Sequence, residues 1–521
     1  MRPGKKPPKE VDVRKCFAQR PPLTVDWYDV AHVTIVVLPD VALLEIFHFY
    51  VDDARNVVNA YQEKIEAWHT LVHVCRKWRS VVFGSPLRLN LRLHCTESTP
   101  VRKTLDVWPI LPIVVWSSRN PKWSMDNIVA VLEHNHRIYE LDLGHMPDSE
   151  FEKVLATMQQ PFPALKNLYL SYTDVVIPAS FLGGSALQLQ SLIMDGILFP
   201  ALPKLLLSAT HLVHLRLEKI PHSGYIPPET MVSCLSALTR LKFLIIGFKS
   251  PQSRPDRRRP PPPTRTLLPV LTSLRFEGVC KYLDDFLARI DAPLLKELEV
   301  AFFHQLIFDT PQLNQFISRT PNLKTHNEAQ MEVYPWHVSV RLPTQSALSQ
   351  TFVGEVELKV LCQQADWQLS SLAQVCSSFF PQTFISAVEH LYIKNTATIL
   401  HWKPEDDIES SQWLEFFHPF IGVKNLYVSS AYTPYIVPAL QELFGESGTE
   451  ALPSLQTLFL EDPPPSGPIQ EAIGKIVAAR QLADHPVAVS PWESEEGESS
   501  YESDKEEDES SHPRGEKTDV D

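Results

Sequence analysis

Hydrophobic residues recur in one short pattern, apolar-x-x-apolar-x-apolar, along most of the chain. Apolar residues at alternate positions over so short a span predict a β-strand. Stretches between the copies have apolar residues at helical spacing, for example SEFEKVLATM and ETMVSCLSAL. Strands and helices therefore alternate, and the sequence predicts an α/β fold. The copies begin at Ile138, Leu165, Leu189, Leu212, Leu241, Leu271, Leu295, Val388, Val423 and Leu455.

The spacing of these copies is similar to that of leucine-rich repeats, whose period is roughly 20 to 29 residues. Each such unit has an apolar edge that only a stacked neighbour can bury, so we expect a solenoid. Its first part occupies 87–325 and its second part 386–489, with a poorly patterned segment at 326–385 between them. We expect an irregular solenoid, because the asparagine that often follows the strand in regular repeats is replaced by Thr173, Ile197 and Ile220.

Near the amino end, apolar residues lie at helical spacing on more than one side of the predicted helices. Leu43, Ile46, Phe47 and Tyr50 form one stripe, and a second stripe runs along another side. Pro39 stands where the first residue of a helix would, because its missing N–H is not needed there. A lone pair of helices cannot bury so much apolar surface. We therefore expect another body to cover the remainder.

This segment resembles the F-box, a motif of about three helices that docks on the Skp adaptor of cullin-based ubiquitin ligases. The run from Leu87 to Trp116 is similar to the continuation found in a large fungal family of F-box proteins. The resemblance implies an F-box-like helical motif at 35–86 and a cullin in the assembly. The alternative is that these helices only cap an α/β body. The residues expected to bind the adaptor are Leu38, Pro39, Leu43, Leu44, Ile46, Phe47, Val74, Cys75 and Trp78.

The formal charge of −14 is concentrated at the carboxyl end. Residues 493–521 contain thirteen acidic and three basic residues, so they carry −10 and the rest of the chain carries −4. No broad basic face is left to neutralise phosphates, and nucleic-acid binding is therefore not expected.

Other features of the composition favour a reducing compartment. The seven cysteines are never spaced C-x-x-C, so neither a disulfide framework nor a zinc site is predicted. We find neither the apolar run of a secretory signal nor a stretch of membrane-spanning length. We expect a cytoplasmic and/or nuclear protein without a membrane partner.

Catalytic motifs are missing from the sequence. It contains no G-x-G-x-x-G, G-x-x-x-x-G-K-[ST], H-E-x-x-H or G-x-S-x-G, and only 17 glycines. We therefore expect no cofactor, no metal and no intrinsic enzymatic activity.

Three segments have the composition of chain without a packed core. Residues 1–34 are predicted to be loosely ordered or disordered, and the acidic tail at 490–521 to be disordered. The Pro/Arg-rich loop at 250–266 contains, in residues 257–265, prolines and arginines at spacings that suit a polyproline-groove domain. The alternative is a loop and a tail without a binding role.

The substrate-facing side of such a solenoid is normally its strand-lined face. Alternation places one residue of each copy there, between buried leucines. The alternative is that a loop, a closing helix near Pro468 to Ala483 or a neighbouring chain covers these positions. The candidate substrate-binding residues are Tyr169, Arg216, Arg275, Tyr392, Tyr427 and Phe459.

The resemblance and the repeats together predict a substrate-receptor subunit of an SCF-type ubiquitin ligase. Its F-box would bind the Skp adaptor, and its leucine-rich-repeat-like solenoid would bind a protein target that the sequence does not identify. Two alternatives stay open: a repeat scaffold that delivers no ubiquitination target, and an α/β enzyme with a pocket at the carboxyl ends of its strands.

Overall fold

The computed structural model describes residues 38–47, 67–84, 91–107, 111–116, 123–144, 146–171, 175–251, 264–305, 307–323, 327–334, 336–343, 355–362, 365–379, 385–394, 410–445, 451–463 and 465–493. The chain divides into two compact units. The amino-terminal unit comprises Met1–Arg92 and Trp108–Pro112, and the sheet unit comprises Leu93–Val107 and Ile113–Asp521.

Most of the described part of the amino-terminal unit is helical. Helix α1 covers residues 40–47, α2 covers Ala67–Val74 and α3 covers Arg76–Gly84. Leu43 and Phe47 are four residues apart, so they lie on one side of α1, and both are fully buried. The Phe47 ring packs on the Trp78 ring of α3, with 4.7 Å between their centroids. The other buried apolar residues of these helices are Leu44, Leu71, Val72, Val81 and Val82.

Polar contacts fix the start of α3 and link α3 to the start of α1. Cys75 separates α2 from α3, and its Sγ accepts a hydrogen bond from the Trp78 N–H at 3.5 Å. This bond satisfies one of the free donors at the beginning of a helix. Lys77 Nζ donates to the Leu38 carbonyl oxygen at 2.8 Å and lies 3.8 Å from the Asp40 carboxylate.

In the remaining described residues, strands and helices alternate for most of the chain. The strands are β1 Leu91–Leu93, β2 Ile113–Val115, β3 Ile138–Leu143, β4 Asn167–Ser171, β5 Ser191–Asp195, β6 His214–Ile220, β7 Phe243–Phe248, β8 Thr266–Leu267, β9 Ser273–Gly278, β10 Ile290–Asp291, β11 Glu297–Phe303, β12 Glu328–Tyr334, β13 His337–Pro343, β14 Glu355–Leu361, β15 His390–Lys394, β16 Asn425–Val428, β17 Thr457–Glu461 and β18 Ala488–Trp492. The helices are α4 Val101–Val107, α5 Met125–Leu132, α6 Asp148–Thr157, α7 Leu202–Ser208, α8 Pro228–Leu235, α9 Cys280–Leu287, α10 Pro311–Arg319, α11 Ala365–Phe379, α12 Ser410–Phe417, α13 Thr433–Gly445 and α14 Pro468–Leu482.

Most of the strands belong to one large, mostly parallel sheet, which confirms the predicted α/β class. Its 16 strands follow the order β1-β2-β3-β4-β5-β6-β7-β9-β11-β14-β13-β12-β15-β16-β17-β18, and β8 pairs with β10 in a separate sheet of two strands. Each of the ten apolar-x-x-apolar-x-apolar copies contains one strand of the large sheet. Strands that follow a helix can pair in parallel because the helix carries the chain back to the starting edge.

The segment at 326–385, where the sequence has no repeat pattern, contains an inversion of the sheet. Strand β13 is antiparallel to both β12 and β14. Strand β14 pairs in parallel with β11, and β12 pairs in parallel with β15. The order β11-β14-β13-β12-β15 therefore reverses the chain sequence locally, while the parallel direction is restored on both sides of the inversion.

Alternation explains which face of the sheet is buried. In β4 and β5 the apolar residues Leu168, Leu170, Leu192 and Met194 are buried, whereas the residues between them are half-exposed. Apolar residues of the helices, such as Phe151 of α6, complete this core. The other face of the sheet carries the polar and aromatic residues, and we call it the open face.

Several expectations concern residues that the structure does not describe. Residues 1–34, parts of the F-box-like motif (35–37, 48–66, 85 and 86), most of the Pro/Arg-rich loop (252–263), and the tail from 494 onward lie outside the described ranges. Ser490, Pro491 and Trp492, which composition assigns to the tail, belong to strand β18, where Pro491 pairs with Leu460. No helix among the described residues is long and apolar enough to cross a membrane.

Candidate functional site on the open face

Strand pairing places the candidate substrate-binding residues in one continuous row across the open face. Tyr169 pairs with Ile193, which pairs with Arg216, and Tyr427 pairs with both Tyr392 and Phe459. Each residue is the direct pairing partner of the next, so the row runs perpendicular to the strands. In order, it consists of Asp142, Tyr169, Ile193, Arg216, Ile245, Arg275, Glu299, Glu357, Arg341, Gln330, Tyr392, Tyr427, Phe459 and Ser490.

The middle of the row is a network of ion pairs. Arg275 Nε lies 3.5 Å from Glu299 Oε1, and Lys359 Nζ lies 2.7 Å from the same oxygen. Lys359 also lies 3.1 Å from Glu357, whose carboxylate is 3.4 Å from Arg341 Nη2. Opposite charges on neighbouring strands attract when their side chains share a face. The network therefore holds β9, β11, β14 and β13 in register.

The pKa shifts of the two cations follow from this network. Burial lowers the pKa of Lys359, but its hydrogen bond to Glu299 and the charge of Glu357 outweigh burial and raise it above its usual value. Burial also lowers the pKa of Arg341, but the charges of Glu357 and Glu355 outweigh burial and raise it above its usual value. Both side chains thus keep their positive charge throughout the physiological range.

The last part of the row is a stack of aromatic rings. The Tyr392 and Tyr427 centroids are 4.2 Å apart with 12° between the planes, and those of Tyr427 and Phe459 are 4.4 Å apart with 5° between the planes. Rings stacked across adjacent strands turn their edges, not their faces, away from the sheet. We call these three residues the aromatic stack.

Trp492 of the last strand provides a partial cover for the aromatic stack. Its indole centroid is 5.7 Å from that of Tyr427, at 68°, and 6.2 Å from that of Tyr392, at 56°. Aromatic rings attract in this edge-to-face arrangement. Tyr392, Tyr427 and Phe459 remain half-exposed. Helix α14, which occupies the region of the expected closing helix, buries Ile473 and Ile476 beside α13 instead of covering the stack.

A second candidate surface lies on the amino-terminal unit. The exposed fractions are 65% for Val41, 45% for Ile46 and 54% for Val74. Val41 and Ile46 belong to α1, and Val74 is the last residue of α2. They leave apolar surface open beside a core that already contains Leu43 and Phe47.

The nine candidate adaptor-binding residues divide into three classes by exposure. Leu43, Leu44 and Phe47 are buried inside the unit, and Leu38, Cys75 and Trp78 are half-exposed. Pro39, Ile46 and Val74 are exposed. The Trp78 Nε1–H is buried and has no hydrogen-bond partner in the described structure.

A cavity of about 860 Å³ lies among the helices of the sheet unit, between α11, α12 and the end of β11. In its wall, His304 stacks on Trp367 with 4.9 Å between centroids, and its Nδ1 lies 3.3 Å from Ser371 Oγ. A hydrolytic triad also needs a carboxylate that orients the histidine, and no residue within the described ranges supplies one. No group of three or more His, Cys, Asp or Glu side chains in those ranges is arranged to hold a metal ion.

Some residues of the open face do not belong to any predicted set. Glu357, Arg341 and Gln330 complete the central row, although no repeat copy predicts them. Their strands do have a local signal, since Val356, Leu358 and Val360 alternate with charged residues in β14. For Trp492 the sequence has no such signal, because AVSPW lacks alternating apolar residues.

Comparison with known proteins does not assign the chain to a family. No model of a protein family matches it, and no curated protein matches it either.

Proposed function

We propose that this protein is the substrate-receptor subunit of an SCF-type ubiquitin ligase. In this proposal the amino-terminal unit is an F-box that binds a Skp-type adaptor, and the adaptor links it to a cullin. The sheet unit is an irregular leucine-rich-repeat-like solenoid that holds a protein target on its open face. The protein supplies proximity and orientation, and the chemistry takes place on other subunits.

The observation that carries the proposal is the exposed apolar surface of Val41, Ile46 and Val74. Exposed apolar side chains beside a packed helical core are available for contact with a partner, and apolar surface of this kind is found at protein-contact sites. The surface belongs to the segment whose residue pattern resembles the F-box, so a Skp-type adaptor is the partner that we propose. A few apolar anchors supply most of the binding energy in interfaces of this kind.

The experiment is adaptor capture by a variant that changes the exposed side chains and leaves the core intact. Ile46→Asp combined with Val74→Asp should reduce capture at least tenfold, because each places a charge in an apolar interface. Substitutions at Leu44 or Phe47 are unsuitable, since these side chains are buried and their loss would unfold the unit.

The matched control is Leu207→Asp, which changes an exposed leucine of α7 in the sheet unit. It should leave capture unchanged. All variants should retain the wild-type thermal midpoint, because the altered side chains are exposed. Undiminished capture by the double variant would refute the proposal, and loss of cullin together with the adaptor would support it.

A further inference from the structure

A second row on the open face, two residues further along each strand, is rich in carboxylates. Asp195 of β5 pairs with Glu218 of β6, and Gly247 of β7 pairs with Glu277 of β9. Ser171 of β4 pairs with Asp195 at the beginning of this row. We call Ser171, Asp195, Glu218, Gly247 and Glu277 the acidic row.

Gly247 leaves an open slot between two of these carboxylates. A Cβ added at Gly247 would lie 3.5 Å from the Glu277 Cβ and 3.7 Å from the Glu218 Cα. Adjacent strands are about 4.8 Å apart, so Glu218 and Glu277 flank a space of about 10 Å whose floor is bare backbone. This space has room for the stem of one long side chain from another molecule.

One carboxylate of the slot has no direct ion pair. Glu218 is paired with Arg216 at 2.6 Å, and Asp195 with Lys219 at 3.2 Å. Arg275 lies 3.5 Å from Glu299, and its charge also acts on Glu277 without an ion-pair contact. Glu277 makes no ion pair or hydrogen bond through its carboxylate with any described residue. Glu277 is therefore the carboxylate of the slot with which a cation from another molecule can pair directly.

Two buried polar atoms at the other end of the row also lack partners. Asp195 is 7% exposed and Ser171 is 2% exposed. Asp195 Oδ1 and Ser171 Oγ have no hydrogen-bond partner in the described structure. Buried polar atoms without hydrogen-bond partners are rare in proteins, and each one costs free energy until a partner reaches it.

The backbone beside Asp195 is strained. Lys219 has a φ of 48°, in the left-handed region that residues other than glycine seldom adopt. The pairing register of β6 and β7 shifts at the same point, between Leu217 and Ile220. This bulge brings Lys219 back to Asp195 and leaves Glu218 beside the slot. Strain of this kind is concentrated at functional sites.

We infer that the acidic row is a recognition site for a basic, extended segment of the target, with an arginine or lysine side chain seated over Gly247 between Glu218 and Glu277. This inference deepens the proposed function and rests on it for the identity of the bound protein as the target. The proposed ligand cation is an organic one; among the described residues, no group of three or more His, Cys, Asp or Glu side chains is arranged for a metal ion. A guanidinium supplies five N–H donors to a surface that is rich in acceptors.

The pKa of Glu277 agrees with a carboxylate that lacks a direct partner. Burial raises the pKa of its carboxyl group, Arg275 lowers it, and Glu218 and Glu299 raise it further. The charge of an incoming cation would offset the cost of burying the carboxylate and the repulsion between like charges.

The test uses two fluorescein-labelled glycine–serine peptides that differ only in charge: one contains two arginines, and the other has glutamine in their place. Fluorescence anisotropy with the full chain at low ionic strength should give at least tenfold tighter binding of the arginine peptide. Added salt should weaken that binding, because the contacts are charged and partly exposed.

Two substitutions test whether the arginine peptide binds at the acidic row. Glu277→Gln should weaken binding of the arginine peptide at least fivefold, and Gly247→Ala should also weaken it, because the new Cβ narrows the slot at ordinary contact distances. The matched control, Glu297→Gln, changes an exposed glutamate of β11 outside the row and should have no effect.

Equal binding of both peptides, or equal effects of Glu277→Gln and Glu297→Gln, would overturn the inference.

The peptide experiment does not involve the adaptor. If the peptide binds as expected but the adaptor is not captured, the proposed function fails and the acidic row stands as a cation site. If the adaptor is captured but the peptide does not discriminate, only the present inference fails.

Discussion

The aromatic stack should be a measurable source of stability for the sheet unit. Tyr427 lies between Tyr392 at 4.2 Å and Phe459 at 4.4 Å. A stacked aromatic pair contributes about 0.5–1.5 kcal/mol beyond the area it buries. Tyr427→Leu removes these two stacked pairs together with the edge-to-face contact with Trp492, and it keeps a smaller apolar side chain at the position. We expect the free energy of unfolding to fall by about 2 kcal/mol more than in a tyrosine-to-leucine change without stacking.

Tyr169 provides that comparison within the same row. It is half-exposed like Tyr427, but its neighbours in the row are Asp142 and Ile193. It has no ring contact with any described residue. Tyr169→Leu therefore removes a tyrosine from the open face without removing an aromatic pair.

Urea unfolding followed by far-ultraviolet circular dichroism measures these free energies. A double-mutant cycle with Phe459→Leu isolates the Tyr427–Phe459 pair, for which we expect a coupling energy of about 0.5–1.5 kcal/mol. The reasoning would be refuted by a Tyr169→Leu cost equal to that of Tyr427→Leu, or by a coupling energy of zero.

Two further predictions concern side chains that link neighbouring helices and loops. Asp284 accepts a hydrogen bond from the Gln312 N–H at 2.7 Å, and burial raises its pKa from 3.8 to about 6. The folded-state pKa lies above the unfolded value, so the contribution of this carboxyl group is complete below about pH 4 and is lost as the pH rises through about 6. Asp284→Asn keeps an acceptor oxygen, and its melting temperature relative to wild type should be higher at pH 8 than at pH 4; an equal difference at both pH values would contradict this. Arg319 donates to two backbone carbonyls at 2.8 and 2.9 Å and to Asp291 at 2.6 Å, so Arg319→Met should cost about 2–3 kcal/mol in urea unfolding. Arg102→Met, which removes only an exposed ion pair, should cost less than about 0.5 kcal/mol, and similar costs for the two variants would argue against the role of the carbonyls.

In the amino-terminal segment, the sequence pattern predicts some features and only side-chain packing decides others. Its apolar residues at helical spacing indicate that the helices have surplus apolar surface. They do not indicate which residues turn inward, because stripes on two sides of a helix are equivalent until a neighbour packs against one of them. The structure places Leu43, Leu44 and Phe47 inside. Val41 and Ile46 are left outside on the same helix.

On the open face, the sequence pattern predicts which residues share a face, and strand pairing decides which of them are neighbours. Alternation within single copies predicts that Tyr392, Tyr427 and Phe459 share a face, because the side-chain period of a strand is local. The sequence does not predict the acidic row, because the row depends on the bulge at Lys219, which shifts the pairing of β6 with β7. The position of Trp492 depends on the pairing of β18 with β17, which brings the pentapeptide AVSPW beside the stack.

The sequence by itself determined the α/β class, the ten strands of the repeated pattern and the alternation of buried and open positions along each strand. These features depend on residues that are close in the chain, so their period is visible without a structure. Only the tertiary structure decided which open positions become neighbours, and it alone revealed the inversion at β12–β14. Lateral pairing depends on where the intervening helices and loops deliver each strand, and a shift of one residue would turn every side chain of that strand to the other face.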